Sequence, residues 1–239
     1  MIPCKDGFVK PFFKKNHKKS EKSKSQKKLP EKVSEFVKSL DIDSEKCYNR
    51  GSILTKEGRM GYLTPDRMLA SFYELTPNEL QQRGIDVLLM DIDNTLAPYE
   101  QPEPDERILA WLAGMQSAGI RLAFVSNNNW ERVELFNQKI GIQAHAKSGK
   151  PFGKKLRQVI RSYGSDASHA AILGDQLLTD VFAGKHIGAT AFLVPPIKDK
   201  TTAFWRIKRA LERPIIKKYV KNHPEQAACA AFWLRKDKK

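Results

Sequence analysis

The sequence predicts an α/β fold built on a mostly parallel, five-stranded sheet, and three observations carry that expectation. From about residue 60 onward, short apolar runs alternate with helix-period segments, an order that implies right-handed crossovers and a sheet covered on both faces. The run Val87, Leu88, Leu89, Met90 is apolar without alternation, as in a strand buried on two sides. Acidic and polar residues follow such runs directly, where ligands sit in parallel sheets.

Each element has its own local signal. Leu63-Thr64-Pro65-Asp66 and Leu75-Thr76-Pro77-Asn78-Glu79 both read as Thr-capped helix starts with proline in the first turn. Strands are expected over residues 86–91, 121–126, 143–145, 170–174 and 190–194, with helices over 105–118, 130–140, 153–163 and 179–185. The tail over residues 202–221 reads as one or two helices, with Trp205 and Ile207 on one side and Lys208 and Arg209 on the other. Such a helix either lies on an anionic membrane or packs Trp205 and Leu211 on the sheet and leaves its cations in water. The apolar stretch Ala227 to Leu234 is expected to form a short docking helix.

Charge divides the 239 residues into three parts. Residues 1–59 carry 16 Lys and Arg against 8 acids, and 60–239 carry the remaining +7 of a net +15. Lys10 to Lys28 holds nine lysines and one acid, Glu21, a composition too poor in apolar surface to offset its ordering entropy. The expected division is a basic, largely disordered arm over 1–59 with a short helix near 30–40, a catalytic domain over 60–221 and a tail over 222–239. Met60 as the natural start is an alternative. The arm is either a solvated tail or a docking segment for RNA or anionic lipid. The scattered Cys4, Cys47 and Cys229 suit a reducing interior. With no signal-type apolar start and no spanning run, the expected location is the cytoplasm, with peripheral contact at the inner face of the membrane.

The chemistry-bearing residues fall at the strand ends. Asp91 and Asp93 end the first strand, Ser126-Asn127-Asn128-Asn129 the second, and Gly174-Asp175 the fourth, with Asp180 five residues on and Lys150-Pro151 ahead of a helix. Two neighbouring desolvated carboxylates repel, so a cation belongs between them; oxygen-rich, thiol-free surroundings favour Mg²⁺. Taken singly, Ser126 reads as a turn residue, Asp180 as a helix cap and Lys147 as a rival of Lys150. The three asparagines read as loop formers. None of His145, His169, His186 and His223 has a partner at ligand spacing, so a surface or hydrogen-bonded role is expected for each.

As a set these residues resemble the haloacid dehalogenase (HAD) superfamily of aspartate-nucleophile phosphatases. Asp91-x-Asp93-x-Thr95 matches its first motif, Ser126 its second, Lys150 its third, and Gly174-Asp175-x4-Asp180 its fourth. Leu63-Thr64-Pro65-Asp66 and Gly174-Asp175-Gln176-x-x-Thr179-Asp180 look most like the YqeG family, relatives of mitochondrial phosphatidylglycerophosphate phosphatases. The resemblance implies a three-layer Rossmann-like fold and Mg²⁺ held by Asp91, the Asp93 carbonyl, Asp175 and Asp180. It further implies Asp91 as nucleophile, Asp93 as general acid and base, Lys150 as catalytic cation, and Thr95, Ser126 and Asn127 at the substrate phosphate.

Only short gaps separate Asp93 from the next helix and Ser126 from Lys150, so no large cap domain fits. An open site suits phosphate on a bulky substrate, and phosphatidylglycerophosphate is the one the resemblance implies. A nucleotide or nucleic-acid-end phosphatase is the second reading; a basic RNA- or ribosome-binding factor on a HAD scaffold is the third.

Overall fold

The strand segments expected from sequence supply alternate side chains to two separate cores, as the period-2 pleat requires. A computed structural model describes residues 61–198 and 202–235. The basic arm expected over 1–59, with its short helix, lies outside the described residues. Among those described, six strands form one sheet: β1 (Arg67–Met68), β2 (Val87–Met90), β3 (Arg121–Val125), β4 (Gln143–His145), β5 (Ala170–Gly174) and β6 (Thr190–Leu193). Their order is β1-β6-β5-β2-β3-β4, and every pairing is parallel. The direction of winding reverses at β2, which puts the Asp91 turn at the switch point where ligands of such sheets bind.

Among the described residues seven helices accompany the sheet: α1 (Pro77–Gln82), α2 (Glu106–Ser117), α3 (Trp130–Asn137), α4 (Lys154–Ser162), α5 (Phe182–Ile187), α6 (Ala203–Asn222) and α7 (Ala231–Leu234). On one face Leu88, Met90, Leu122, Phe124 and Leu173 meet Leu80, Leu112, Met115, Val133 and Phe136. On the other, Val87, Leu89, Ala123, Val125 and Ile172 meet Leu156, Ile160, Ala183, Ile216 and Trp233. Helix starts follow side-chain capping: Thr76 accepts from Glu79 N, Asp105 from Ile108 N and Asn129 from Arg132 N, each satisfying a backbone donor that the helix itself leaves unpaired.

Three expectations need correction. Thr64-Pro65-Asp66 starts no helix but leads into β1, the sixth strand. Asp66 takes the extended course because its backbone N donates to Ala191 O and its carboxylate accepts from Ala191 N, which ties it to the edge of β6. The last segment before β6 is not one helix over 179–185 either: a π-helical turn, Leu177–Val181, runs into α5. In the tail, Leu211 is exposed and Lys208 is buried, opposite to the arrangement with Leu211 inside and the cations in water. The buried stripe of α6 is Lys208, Glu212, Ile216 and Tyr219, an i, i+4, i+8, i+11 face. The helix is continuous through Pro214, so there is one helix, and α7 docks against it, with Arg213 Nε donating to Trp233 O at 3.1 Å.

Candidate active site

Asp91 lies one residue beyond the last residue of β2, and its backbone N still donates to Leu173 O at 2.9 Å. That bond sets the turn against the end of β5, beside Asp175. Lys150 reaches the same point from the loop after β4: its Nζ donates to Asp91 Oδ1 at 2.8 Å and lies 2.6 Å from Asp180 Oδ1. Oxygens of Asp91, Asp175 and Asp180 all lie within 4.8 Å of one another, and all three residues are buried. Lys150 is buried with them while Lys147 is exposed, so only the lysine before proline meets the acids.

Asp180 fits here because residue 174 is glycine. A Cβ on Gly174 would sit 2.3 Å from Asp180 Cγ, inside any real contact distance. The π-turn then folds back so that Asp180 Oδ2 accepts from Gln176 N at 3.1 Å.

Burial governs the charges of this cluster. It raises the Asp91 carboxyl to about 6, with Lys150 pulling downward and Asp180 pushing further up. It also raises Asp175, helped by Asp180 and Asp91. Burial alone would lower the Lys150 ammonium, but Asp180 and Asp91 outweigh it and hold the group above the ordinary lysine range. Three buried carboxylates around one ammonium, two of them raised by burial, match an oxygen-ligated divalent cation.

Asp93, two residues on, faces elsewhere. Its Oδ1 accepts from Arg132 Nε at 3.0 Å and its Oδ2 from Asn128 Nδ2 at 2.8 Å. Asn128, expected only to form a loop, holds a carboxylate instead, and Arg132 has no motif of its own; the Asn129 cap, which fixes Arg132 on the first turn of α3, is the local signal that places the guanidinium. Asn127 spends its side chain on the lysine loop: Oδ1 accepts from Lys150 N and from Ser148 Oγ, both at 3.0 Å, and Nδ2 donates to Lys150 O at 2.9 Å. This bracket holds the cis Lys150-Pro151 peptide and leaves one amide N–H for any phosphate. Ser126 is buried beside it, its Oγ accepting from Asn128 N at 3.1 Å. The Thr95 hydroxyl is buried without a hydrogen-bond partner among the described residues.

A second lysine, unforeseen from sequence, closes the far side. Lys208 of α6 is buried, and its Nζ donates to Gln176 Oε1 while Gln176 Nε2 donates to Asp175 Oδ1 at 3.3 Å. One turn further, Glu212 Oε1 accepts from Leu178 N at 3.5 Å. Burial lowers the Lys208 ammonium against the pull of Glu212 and Asp175, and raises Glu212 against the pull of Lys208. Among the described histidines, His145 is partly buried with Nε2 unpartnered and His169 meets Asp166 at 3.2 Å; none of these described histidines joins the acidic cluster.

The buried aspartates and their lysine gather at the strand ends of a parallel α/β sheet, the place where enzymes of this architecture hold their ligands. The chain belongs to the haloacid dehalogenase-like hydrolases, whose family model matches residues 9–188. Among its relatives is the protein named Probable phosphatase YqeG of Bacillus subtilis (strain 168), 34% identical over 155 residues that span 65% of this chain and 90% of that one. Two solved structures are looser likenesses. An uncharacterized protein of Listeria monocytogenes serotype 4b gives a TM-score of 0.40 at 14% identity, over 49% of this chain and 85% of its own. The cobalt-bound deoxy-D-mannose-octulosonate 8-phosphate phosphatase (YrbI) of Haemophilus influenzae gives 0.38 at 13%, over 64% and 98%.

Proposed function

We propose that the protein is a Mg²⁺-dependent phosphomonoester hydrolase working through a phosphoaspartate on Asp91. The observation that supports this most is Lys150 Nζ, within 2.8 Å of Asp91 and 2.6 Å of Asp180: a buried cation beside a buried carboxylate answers the repulsion that a doubly negative ester would meet there. Asp91, Asp175 and the Asp93 carbonyl would hold the metal, with Asp180 orienting the lysine. When bound, the ion screens phosphate charge and fixes the ester's orientation.

The chain's own groups divide the remaining work. Asp91 Oδ attacks phosphorus, the bond to the leaving oxygen breaks, and Asp93 supplies that oxygen with a proton. A water then attacks the phosphoaspartate, its proton passing to Asp93, and inorganic phosphate leaves. Arg132 and Asn128 hold Asp93 in position for both transfers. Ser126, Thr95 and the spare N–H of Asn127 would receive phosphate oxygens.

The substrate we propose is a phosphate group on a large or surface-held molecule, phosphatidylglycerophosphate being the one the family resemblance favours. Between β2 and α2, and between β3 and α4, no inserted domain covers the strand ends. The net charge of +15 suits anionic surfaces, whether membrane or RNA, and a cytoplasmic protein in peripheral contact with either. No helix among the described residues is long and apolar enough to cross a membrane. Phosphate release, with Mg²⁺ and with chelator, should be measured on phosphatidylglycerophosphate in vesicles and on 3′- and 5′-phosphorylated oligonucleotides. Turnover confined to the oligonucleotides would replace the lipid by a nucleic-acid end. Turnover that survives Asp91→Asn would end the phosphoaspartate reading.

A further inference from the structure

The α6 pair Lys208 and Glu212 lies outside all four sequence motifs and beyond the residues matched by the family model. Both are buried charged side chains, an expensive arrangement unless each charge is used. Both act on one loop, the connection from Asp175 to Asp180: Lys208 through the Gln176 side chain that also donates to Asp175, Glu212 through the backbone N of Leu178. Lys208 is close enough to Asp175 and Asp180 for its charge to be felt by each. Its ammonium also lies 4.8 Å from the centre of the Trp205 ring.

The charges of the buried cluster balance in a specific way. Asp91, Asp175, Asp180 and Glu212 oppose Lys150 and Lys208, all of them buried. Fully ionised, the six groups leave two negative charges, the complement of one divalent ion. Without Lys208 the same cavity would carry three and would hold its cation more tightly. It would then have less positive charge to offer an arriving phosphate.

We infer that Lys208 and Glu212 are positioning residues that set the affinity of the site for its divalent cation, Lys208 weakening it and Glu212 strengthening it. This rests on the metal reading of Asp91 and Asp175 proposed above. A merely structural pair would behave differently: loss of either member would loosen the Asp175 loop and weaken cation binding in both cases.

The test is the sign of two changes. Binding of Mn²⁺ to the full-length protein is followed by isothermal titration, with melting curves to confirm folding. Lys208→Met should bind the ion about tenfold more tightly and Glu212→Gln about tenfold more weakly, the scale expected for one charge near a partly screened site. Lys208→Arg, which keeps the charge, should stay near the parent affinity. With substrate, Lys208→Met should raise KM more than it lowers kcat. If both neutral variants bind more weakly, or neither changes, the inference is overturned while the metal site stands. If Lys208→Met does not fold, Glu212→Gln with unchanged or tighter binding overturns it alone. Absence of any Mn²⁺ binding by the unsubstituted protein would overturn the metal reading and this inference together.

Discussion

Asp91 and Asp93 are separated by a single residue, yet they occupy opposite kinds of surroundings. Asp91 is buried against Lys150, Asp175 and Asp180, and its carboxyl is raised to about 6 mainly by lost hydration. Asp93 keeps a partly exposed side chain and has both oxygens engaged by neutral or cationic donors from the α3 region, Asn128 and Arg132. Two like residues on one turn thus receive different chemistry from what surrounds them, the device by which paired carboxylates take separate roles. The contrast is one of ownership: the β5–α5 loop and Lys150 control Asp91, whereas the β3–α3 loop controls Asp93.

The strongest way to break that contrast is to remove the buried partner. Asp91→Asn should fold and yet lose about four orders of magnitude in phosphatase turnover, whereas Asp93→Asn should keep its Mn²⁺ affinity and lose turnover; equal metal affinities in parent and Asp91→Asn would dissolve the distinction. Next in size, Gly174→Ala should push Asp180 away from the cluster. Overpacking there costs about 1–3 kcal/mol, seen in urea unfolding, and turnover should drop about a hundredfold as Lys150 loses one of its two carboxylates.

On the other side, Arg132→Met leaves Asp93 with Asn128 alone. About a ten- to hundredfold loss of kcat is expected, since a general acid contributes roughly two to four orders of magnitude only when placed correctly, and titrated Mn²⁺ affinity should be unchanged. A change in that affinity would mean that the two aspartates are not separately controlled.

The smallest effect is on stability. A carboxyl whose folded pKa lies above its unfolded value makes the folded state bind more protons, so its contribution to stability falls as pH rises from about 4 through 6. A divalent ion that takes up the ionised form reverses this loss. The Tm gain from saturating Mg²⁺ should therefore be larger at pH 7.5 than at pH 5, by a few degrees on the scale of ~1 kcal/mol; equal gains at both pH values would argue that Asp91 is not at the ion.

Much of this was legible beforehand. β5 matches its expected span and α2 lies inside residues 105–118, because a continuous apolar run and an Asp cap leave few alternatives; β4 matches as well, although Ala144 is its one apolar residue. Lys150 stands out over Lys147 through the family resemblance, which places the lysine directly before proline. What escaped has two causes, brevity and buried charge. β1 is two residues long, too short for periodicity to register. The inward face of α6 hides because Lys208 and Glu212 break the apolar pattern where they are buried, so the eye goes to Trp205 and Leu211 instead. Arg132 and Asn128 are polar residues on a polar turn, and nothing local distinguishes them from their solvated neighbours. Pattern reading finds buried apolar groups; buried charge is visible only once its partners are placed.

The inward stripe of α6 ends in a consequence for how the molecule can fail. Lys208 and Glu212 stand on the Asp175–Asp180 loop, and Ile216 and Tyr219, one and two turns further, stand in the core beside Trp233. Prising the helix from the sheet would wet that core in the same movement that withdrew its two charges from the acids. Damage at this one joint would therefore remove the protein from use rather than leave a slow version of it in circulation.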